Sequence, residues 1–218
     1  MSAQNTIRVY LQEGLDELGI QVPEHVLEKL EAYQRVLSKW NKTINLTAHR
    51  SDKDSIEKNF LDSIYLSQHV RENRILDFGS GAGFPGLVLA LLNPQRCLFL
   101  IEADQKKTSF LKSTIISLSI KNAEVINRYV DIKKSDEDNG LPADIDLIVS
   151  RATISSQDLI QFSSHHLKAA GRLALMLSEK QILEIGKEID RVYEKDLEIK
   201  YTLPWSKTDR YLFFLIKK

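Results

Sequence analysis

The residues best placed to do chemistry lie in one short stretch, Ile75-Leu-Asp77-Phe-Gly79-Ser80-Gly81-Ala-Gly83-Phe84-Pro-Gly86. It reads as a strand, a glycine loop and the start of a helix. Glycines there let the backbone turn sharply and come close to a ligand, because no side chain intervenes. The helix start adds free N–H groups for an anionic ligand group. Gly81, Gly83 and Gly86 satisfy the dinucleotide pattern G-x-G-x-x-G. Asp77 precedes the first glycine by two residues, where it can meet an ammonium or order the loop. Glu102 follows Gly79 by 23 residues at the end of the next apolar run. A carboxylate there can accept hydrogen bonds from both ribose hydroxyls of an adenosine-type cofactor. These residues alone leave a dinucleotide and other adenosine compounds both open.

Such a loop needs a sheet to hold it. Arg74–Asp77, Cys97–Ile101, Asp146–Val149 and Leu173–Leu177 read as strands, and the continuous apolar run at Cys97–Ile101 suits burial on both faces. Helical patterns lie between them at Leu87–Leu92, at Leu111, Ile115 and Leu118, and over Leu159–Leu167. Strands alternating with helices imply a mostly parallel sheet covered on both sides. The alternating Leu197–Tyr201 and the apolar Tyr211–Ile216 flank Pro204-Trp205-Ser206, too short a link for a crossover, so they pair as an antiparallel hairpin. Ser135–Gly140 reads as a polar surface loop.

Residues 1–72 read as helices only. Ile7, Leu11, Leu15 and Leu18 keep helical spacing up to a stop at Gly19. A second stripe runs from Pro23 through Val26, Leu30, Tyr33, Leu37 and Trp40 to Ile44, and Ser51 can cap a third helix with Ile56, Phe60 and Ile64. This part holds 9 Lys/Arg against 11 Asp/Glu, so it is no basic arm, and it is expected to cap the domain formed by residues 73–218. The expected class is therefore α/β, a Rossmann-like, mostly parallel sheet with an antiparallel C-terminal hairpin and an N-terminal helical cap.

The chain of 218 residues is 43% hydrophobic and 28% charged, ordinary globular usage that excludes a disordered chain or a disulfide scaffold. Lys+Arg and Asp+Glu both number 30, so no global field draws the protein to nucleic acid or an anionic membrane. A nucleic-acid substrate would need a local basic surface. The one cysteine, Cys97, forms no intrachain disulfide and is expected in the core. No run reaches the length of a membrane helix, and the polar, acidic start is unlike a signal peptide, so the expected location is cytoplasmic. His25, His49, His69, His165 and His166 lack metal-ligand spacing, and no metal is expected. His165-His166 should end a helix as dipole partners.

The loop also reads as Asp-x-Gly-x-Gly-x-Gly and so resembles the S-adenosylmethionine loop of class I methyltransferases. With Lys39-Trp-Asn-Lys42, Asn45-Leu-Thr47, Leu61-Asp62-Ser63, the Phe84-Pro-Gly86 ending, Val149-Ser-Arg151-Ala152 and Asp209-Arg210-Tyr211, the chain resembles the RsmG (GidB) family from about Leu30 onward. That resemblance implies S-adenosyl-L-methionine as cofactor and methylation of guanine N7 in the 530 loop of 16S ribosomal RNA. It implies Asp77, Gly79, Ser80, Gly81, Gly83 and Phe84 as the cofactor loop, Glu102 at the ribose, and Tyr129 and Val130 at the adenine. It places Arg128, Arg151 and Arg210 on an RNA-facing or active-site surface, with Asn45, Thr47 and Asp62 near the cofactor mouth. Two departures stand out. The family's Lys-Gly pair at the fifth strand's end is Leu177-Ser178 here, with Lys180 nearby as a substitute RNA contact, and a family histidine is replaced by Asn59.

Guanine N7 carries a lone pair and no proton, so it can attack a methyl group without a general base. The protein's task is then alignment, with Asp62 offered as a carboxylate near the charged product base and Arg151 as the second catalytic group and a further cofactor contact. Zero net charge favours 16S RNA within the 30S subunit over naked RNA as partner, and the expected working form is a monomer. Two rivals are an NAD-dependent oxidoreductase on the same loop, for which no acid/base constellation is present, and a non-catalytic RNA- or ribosome-binding relative.

Overall fold

The computed structural model describes residues 3–49, 51–132, 140–151, 155–182 and 192–218; most of the polar loop expected at Ser135–Gly140, and Ala152 of the Val149–Ala152 motif, lie outside them. The chain begins with α1 (Ala3–Leu18), α2 (Glu24–Asn41) and α3 (Asp52–Ser55), then a π-helical stretch, Ile56–Leu61, that runs straight into α4 (Asp62–Ser67). Then come β1 (Arg74–Phe78), α5 (Gly86–Leu92), β2 (Cys97–Glu102), α6 (Gln105–Ser117) and β3 (Ala123–Asn127). The second half holds β4 (Ile145–Ser150), α7 (Ser156–His166), β5 (Leu167–Ser178), α8 (Glu179–Ile182), β6 (Tyr193–Thr202) and β7 (Asp209–Lys217).

The strands form one seven-stranded sheet in the order β3-β2-β1-β4-β5-β7-β6. β1 to β5 are mutually parallel, while β7 runs antiparallel to both β5 and β6. The order reverses between β1 and β4, which opens a crevice at the carboxyl ends of those strands, where open α/β sheets bind ligands. The glycine loop leaves β1 at that point.

Alternate residues divide the sheet between two cores. Ile75, Leu98, Leu147, Val149, Ala174 and Phe214 face the cluster that also takes the stripes of α1, α2, α4, α5 and α6. Leu76, Ile101, Ile148, Leu173, Leu175 and Leu215 face a second cluster with Leu159 and Phe162 of α7. The helices of the cap thus bury their apolar residues directly on one face of the sheet. On α2, Val26, Leu30, Tyr33 and Leu37 are buried, each contributing about 1.5–3 kcal/mol of transfer free energy. That helix ends at Asn41, so Ile44 lies beyond it in the following turn. Ser51 caps α3 as expected, accepting from the Asp54 amide.

Two expectations need correction. Cys97 is exposed, because as the first residue of β2 it stands at the amino edge of the sheet. His166 ends α7 but is buried and packs on Phe162 at 4.1 Å between ring centroids, so it is a packing residue rather than only a dipole partner. Among the described residues no helix is long and apolar enough to cross a membrane, and no metal-binding cluster occurs.

Gly14 sets how closely α1 crosses the π-helical stretch, since a Cβ there would lie 2.1 Å from Leu61 Cδ1. Gly14→Ala is expected to destabilise the protein by about 1–3 kcal/mol through overpacking, read from denaturant unfolding.

Candidate active site

The glycine loop is held from three sides. Gly79, Gly81 and Gly83 all have positive φ, between 56° and 85°. The Ser80 amide donates to the Ile101 carbonyl at 2.9 Å, and its hydroxyl donates to the Asp77 carbonyl at 3.0 Å. From below, Tyr33 of α2 donates to the Ala82 carbonyl and stacks on Phe84 with centroids 5.1 Å apart, while Phe60 meets both rings edge-on. Only glycine fits at Gly83, because a Cβ would stand 2.4 Å from the Tyr33 hydroxyl.

Asp77 lies fully buried beneath this loop. One oxygen accepts the Gly86 amide at 2.9 Å, so the carboxylate starts α5 and orders the loop. The other, Oδ1, has no hydrogen-bond partner among the described residues. Burial raises the Asp77 pKa from 3.8 to about 7, against the lowering effect of the Gly86 amide. Glu102, at the end of β2, accepts the Gly81 amide through Oε2 and the Asp104 amide through Oε1, both at 2.8 Å. Each oxygen retains further acceptor capacity. An orphaned buried carboxylate oxygen under the loop and a second carboxylate at its mouth fit a ligand with one cationic end and vicinal hydroxyls. The 128–130 segment lies beside them: the Arg128 amide donates to the Glu102 carbonyl at 3.1 Å, Tyr129 is exposed and Val130 is buried. The Arg128 guanidinium lies against Gly140.

Arg151 joins this loop to a neighbouring cleft. Its guanidinium sits 5.5 Å from the centre of the Phe84 ring and donates to the Lys58 carbonyl of the π-helical stretch at 2.7 Å. Burial lowers its pKa, opposed by the attraction of Asp62. The cleft, about 310 Å³, is lined by His49, Lys58, Arg151, Leu203, Thr208 and Arg210. Lys58 pairs with Asp54 and Arg210 with Asp62, so among the described residues Arg151 is the cation of this lining without a carboxylate partner.

Asp62 partners one of the cations that line the cleft. It is fully buried, and it accepts from the Tyr201 hydroxyl and from Arg210 Nη2, the latter at 2.7 Å. Burial and Asp62 together push the Tyr201 pKa far up. Burial pulls the Arg210 guanidinium down, but Asp62 and Tyr201 outweigh it and leave it above its ordinary value. Asp62 therefore anchors Arg210.

The π-helical stretch explains this anchoring. Residues five apart on an α-helix point about 140° away from each other, whereas the i→i+5 ladder of a π-helix brings them into line. Glu57 and Asp62 are five apart, and both grip the β6–β7 hairpin. Glu57 accepts the amides of Trp205 and Ser206 at 2.5 and 2.7 Å. The hairpin tip is thereby fixed where Leu203, Thr208 and Arg210 can line the cleft. Sequence reasoning missed Glu57, Lys58, His49 and Tyr201; the partners of Glu57 and Tyr201 lie far away in the chain and leave no local signal.

At the end of β5, Leu177 is a core residue of the second cluster, and Ser178 bonds to Gln181 through its amide and hydroxyl. Lys180 is exposed on α8. Asn59 is fully buried, donates to Ser55 at 3.3 Å and leaves Oδ1 without a partner among the described residues.

Comparison with known proteins follows the same lines. The family model described as rRNA small subunit methyltransferase G (GidB) matches residues 26–212. A ribosomal RNA small subunit methyltransferase G from Methylobacillus flagellatus is 36% identical over 176 residues, 81% of this chain and 83% of that protein. The protein of the same name from Vibrio vulnificus is 32% identical over 217 residues, 98% of this chain and 99% of that one. Among solved structures, a predicted O-methyltransferase from Agrobacterium tumefaciens superposes with a TM-score of 0.62 at 21% identity, over 72% of this chain and 80% of that one, a likeness of fold.

Two outcomes are expected. The Asp77 carboxyl ionises near 3.8 in the unfolded chain and near 7 in the folded one, so the folded state holds the extra proton between those values. Stability should fall as pH rises through that window, by on the order of 4 kcal/mol at most. Asp77→Asn should remove this slope in urea unfolding measured from pH 4 to 8. Glu57→Ala should cost about 1–3 kcal/mol and weaken substrate binding by loosening the hairpin tip, seen in unfolding and in KM.

Proposed function

The chain belongs to the rRNA small subunit methyltransferase G family, and from that premise we propose that it methylates N7 of a guanine in the 530 loop of 16S ribosomal RNA, drawing the methyl group from S-adenosyl-L-methionine. S-adenosylmethionine-dependent methylation of ribosomal RNA is the activity of this family. The observation that carries the finer reading is the position of Arg151, which touches both the glycine loop through Phe84 and the basic cleft beside it. A cofactor on the loop and a base in the cleft would meet at that residue.

The cofactor supplies a methyl group on a sulfonium, a good leaving group. In the proposed complex Glu102 holds the ribose hydroxyls, Asp77 faces the ammonium end from beneath the loop, and the 128–130 backbone borders the adenine. The loop residues Gly79, Ser80, Gly81, Gly83 and Phe84 shape the floor. Because N7 needs no deprotonation, the cleft works by orientation. Arg151 and Arg210 donate hydrogen bonds to the guanine oxygen or adjoining phosphates, leaving the N7 lone pair free. Arg128 and Lys180, both exposed, lie where they can meet more distant phosphates. Asp62 acts as a positioning residue: it holds Arg210 against the cleft and keeps that pair neutral, so the positive charge gained by the base meets one fewer cation.

Residues 1–72 serve in this reading as a cap on the methyltransferase domain of residues 73–218, contributing Lys58 and His49 to the substrate side. The working form is a monomer acting on the 30S subunit in the cytoplasm.

The test uses tritiated S-adenosylmethionine with 30S subunits from a strain lacking this methylation. Label recovered as 7-methylguanosine at the 530 loop is expected, and label in another nucleoside or position would sink the assignment. Arg151→Ala should lower kcat/KM by about 100-fold or more, while Asp62→Asn should raise KM several-fold with a smaller change in kcat. A kcat loss for Asp62→Asn as large as that for Arg151→Ala would instead make Asp62 a catalytic residue.

A further inference from the structure

A second and larger cleft lies on the cap. It has a volume of about 470 Å³ and runs between α2 and α3, lined among others by Ser38, Lys42, Thr47, His49, Asp52 and Ser55. That volume is in the range of small-ligand sites. Its wall is preorganised. Gln34 donates to Asp52 Oδ1 at 2.8 Å and to Ser38 at 3.0 Å, Ser38 donates to the same Asp52 oxygen at 2.8 Å, and Ser55 donates to Gln34 Oε1 at 2.9 Å. This network fixes Asp52 and leaves its Oδ2 without a hydrogen-bond partner among the described residues. The loop opposite is equally fixed. Asn41 Oδ1 accepts the amides of Leu46 and Thr47 at 2.8 and 2.9 Å, and its Nδ2 donates to the Thr47 carbonyl at 3.2 Å. Lys42 is exposed at the mouth and pairs with no carboxylate among the described residues.

His49 lines both this cleft and the basic cleft of Arg151 and Arg210. Its Nδ1 lies 3.2 Å from Asp54 Oδ2, and Asp54 in turn pairs with Lys58 of the second cleft. Two clefts that share a lining residue adjoin closely enough to take two successive nucleotides of a single strand. The chemistry of the larger cleft suits a base rather than a phosphate: a carboxylate would repel an anion but accepts from the N–H groups of a base edge, while an imidazole face can stack.

Resting on the methyltransferase reading above, we propose that the cap cleft is a second RNA subsite, taking the base of a nucleotide next to the methylated guanine. Asp52 and Thr47 meet the N–H edge of that base, and Lys42 meets its phosphate. This subsite would add sequence selectivity that the arginine cleft, reading one base and the backbone, does not supply.

Two measurements test it. p-Benzoylphenylalanine placed at Lys42 and irradiated with unmethylated 30S subunits should crosslink to RNA within about three nucleotides of the methylated guanine, mapped by reverse-transcription stops. Crosslinks only to remote RNA or to a ribosomal protein would overturn the proposal. In parallel, Lys42→Gln/Asp52→Asn should raise KM for subunits about five- to tenfold, with kcat within twofold, cofactor affinity unchanged by calorimetry and an unchanged melting temperature. An unchanged KM would also overturn it. Wild-type protein that binds subunits but transfers no methyl group would defeat the methyltransferase reading instead, and the crosslink position would still decide the subsite.

Discussion

Two buried carboxylates five residues apart, Glu57 and Asp62, are the constraint on which the cleft of Arg151 and Arg210 depends. A buried charge is tolerated only with partners, and these two find theirs on the same hairpin: backbone amides for Glu57, Tyr201 and Arg210 for Asp62. The wide turn of the π-helical stretch lets both point the same way. Once they do, the hairpin tip, Arg210 and the cap are fixed relative to one another, and the cleft between them has defined walls. Arg151 then connects that cleft to the glycine loop through Lys58 and Phe84.

The glycine loop rests on a different contact. Tyr33 on the cap stacks on Phe84 and bonds to Ala82, so the cap supports the glycine loop from beneath. The cap is thus part of both halves of the site. That shared role is consistent with the single hydrophobic cluster that takes in residues from Ile7 to Phe214.

What the sequence disclosed follows from locality. Strands, helix stripes and the glycine loop depend on residues close together in the chain, and Asp77, Glu102 and the antiparallel hairpin are all found where spacing places them. Ile44 and Leu167 were assigned to helices that end before them, because periodicity does not mark where a backbone turns. Cys97 was misplaced because an apolar run does not show which end opens to solvent. The anchoring of Arg210 was hidden for a deeper reason: its partner lies 148 residues away. Asp62 therefore read as a free carboxylate. The departure at Leu177-Ser178 was visible, but only the structure shows that Leu177 is a core residue.

The clasp between cap and hairpin also governs how the molecule comes apart. Its contacts span 139 to 149 residues of chain. The hairpin is also held by the pairing of β7 with β5, so the clasp adds its bonds to strands already seated in the sheet. The amides of Trp205 and Ser206 share one acceptor, the Glu57 carboxylate, so they lose protection from solvent exchange together when that carboxylate lets go. The bonds that place Arg210 and the hairpin tip beside the cleft are thus the same bonds that tie the N-terminal helices to the C-terminal hairpin.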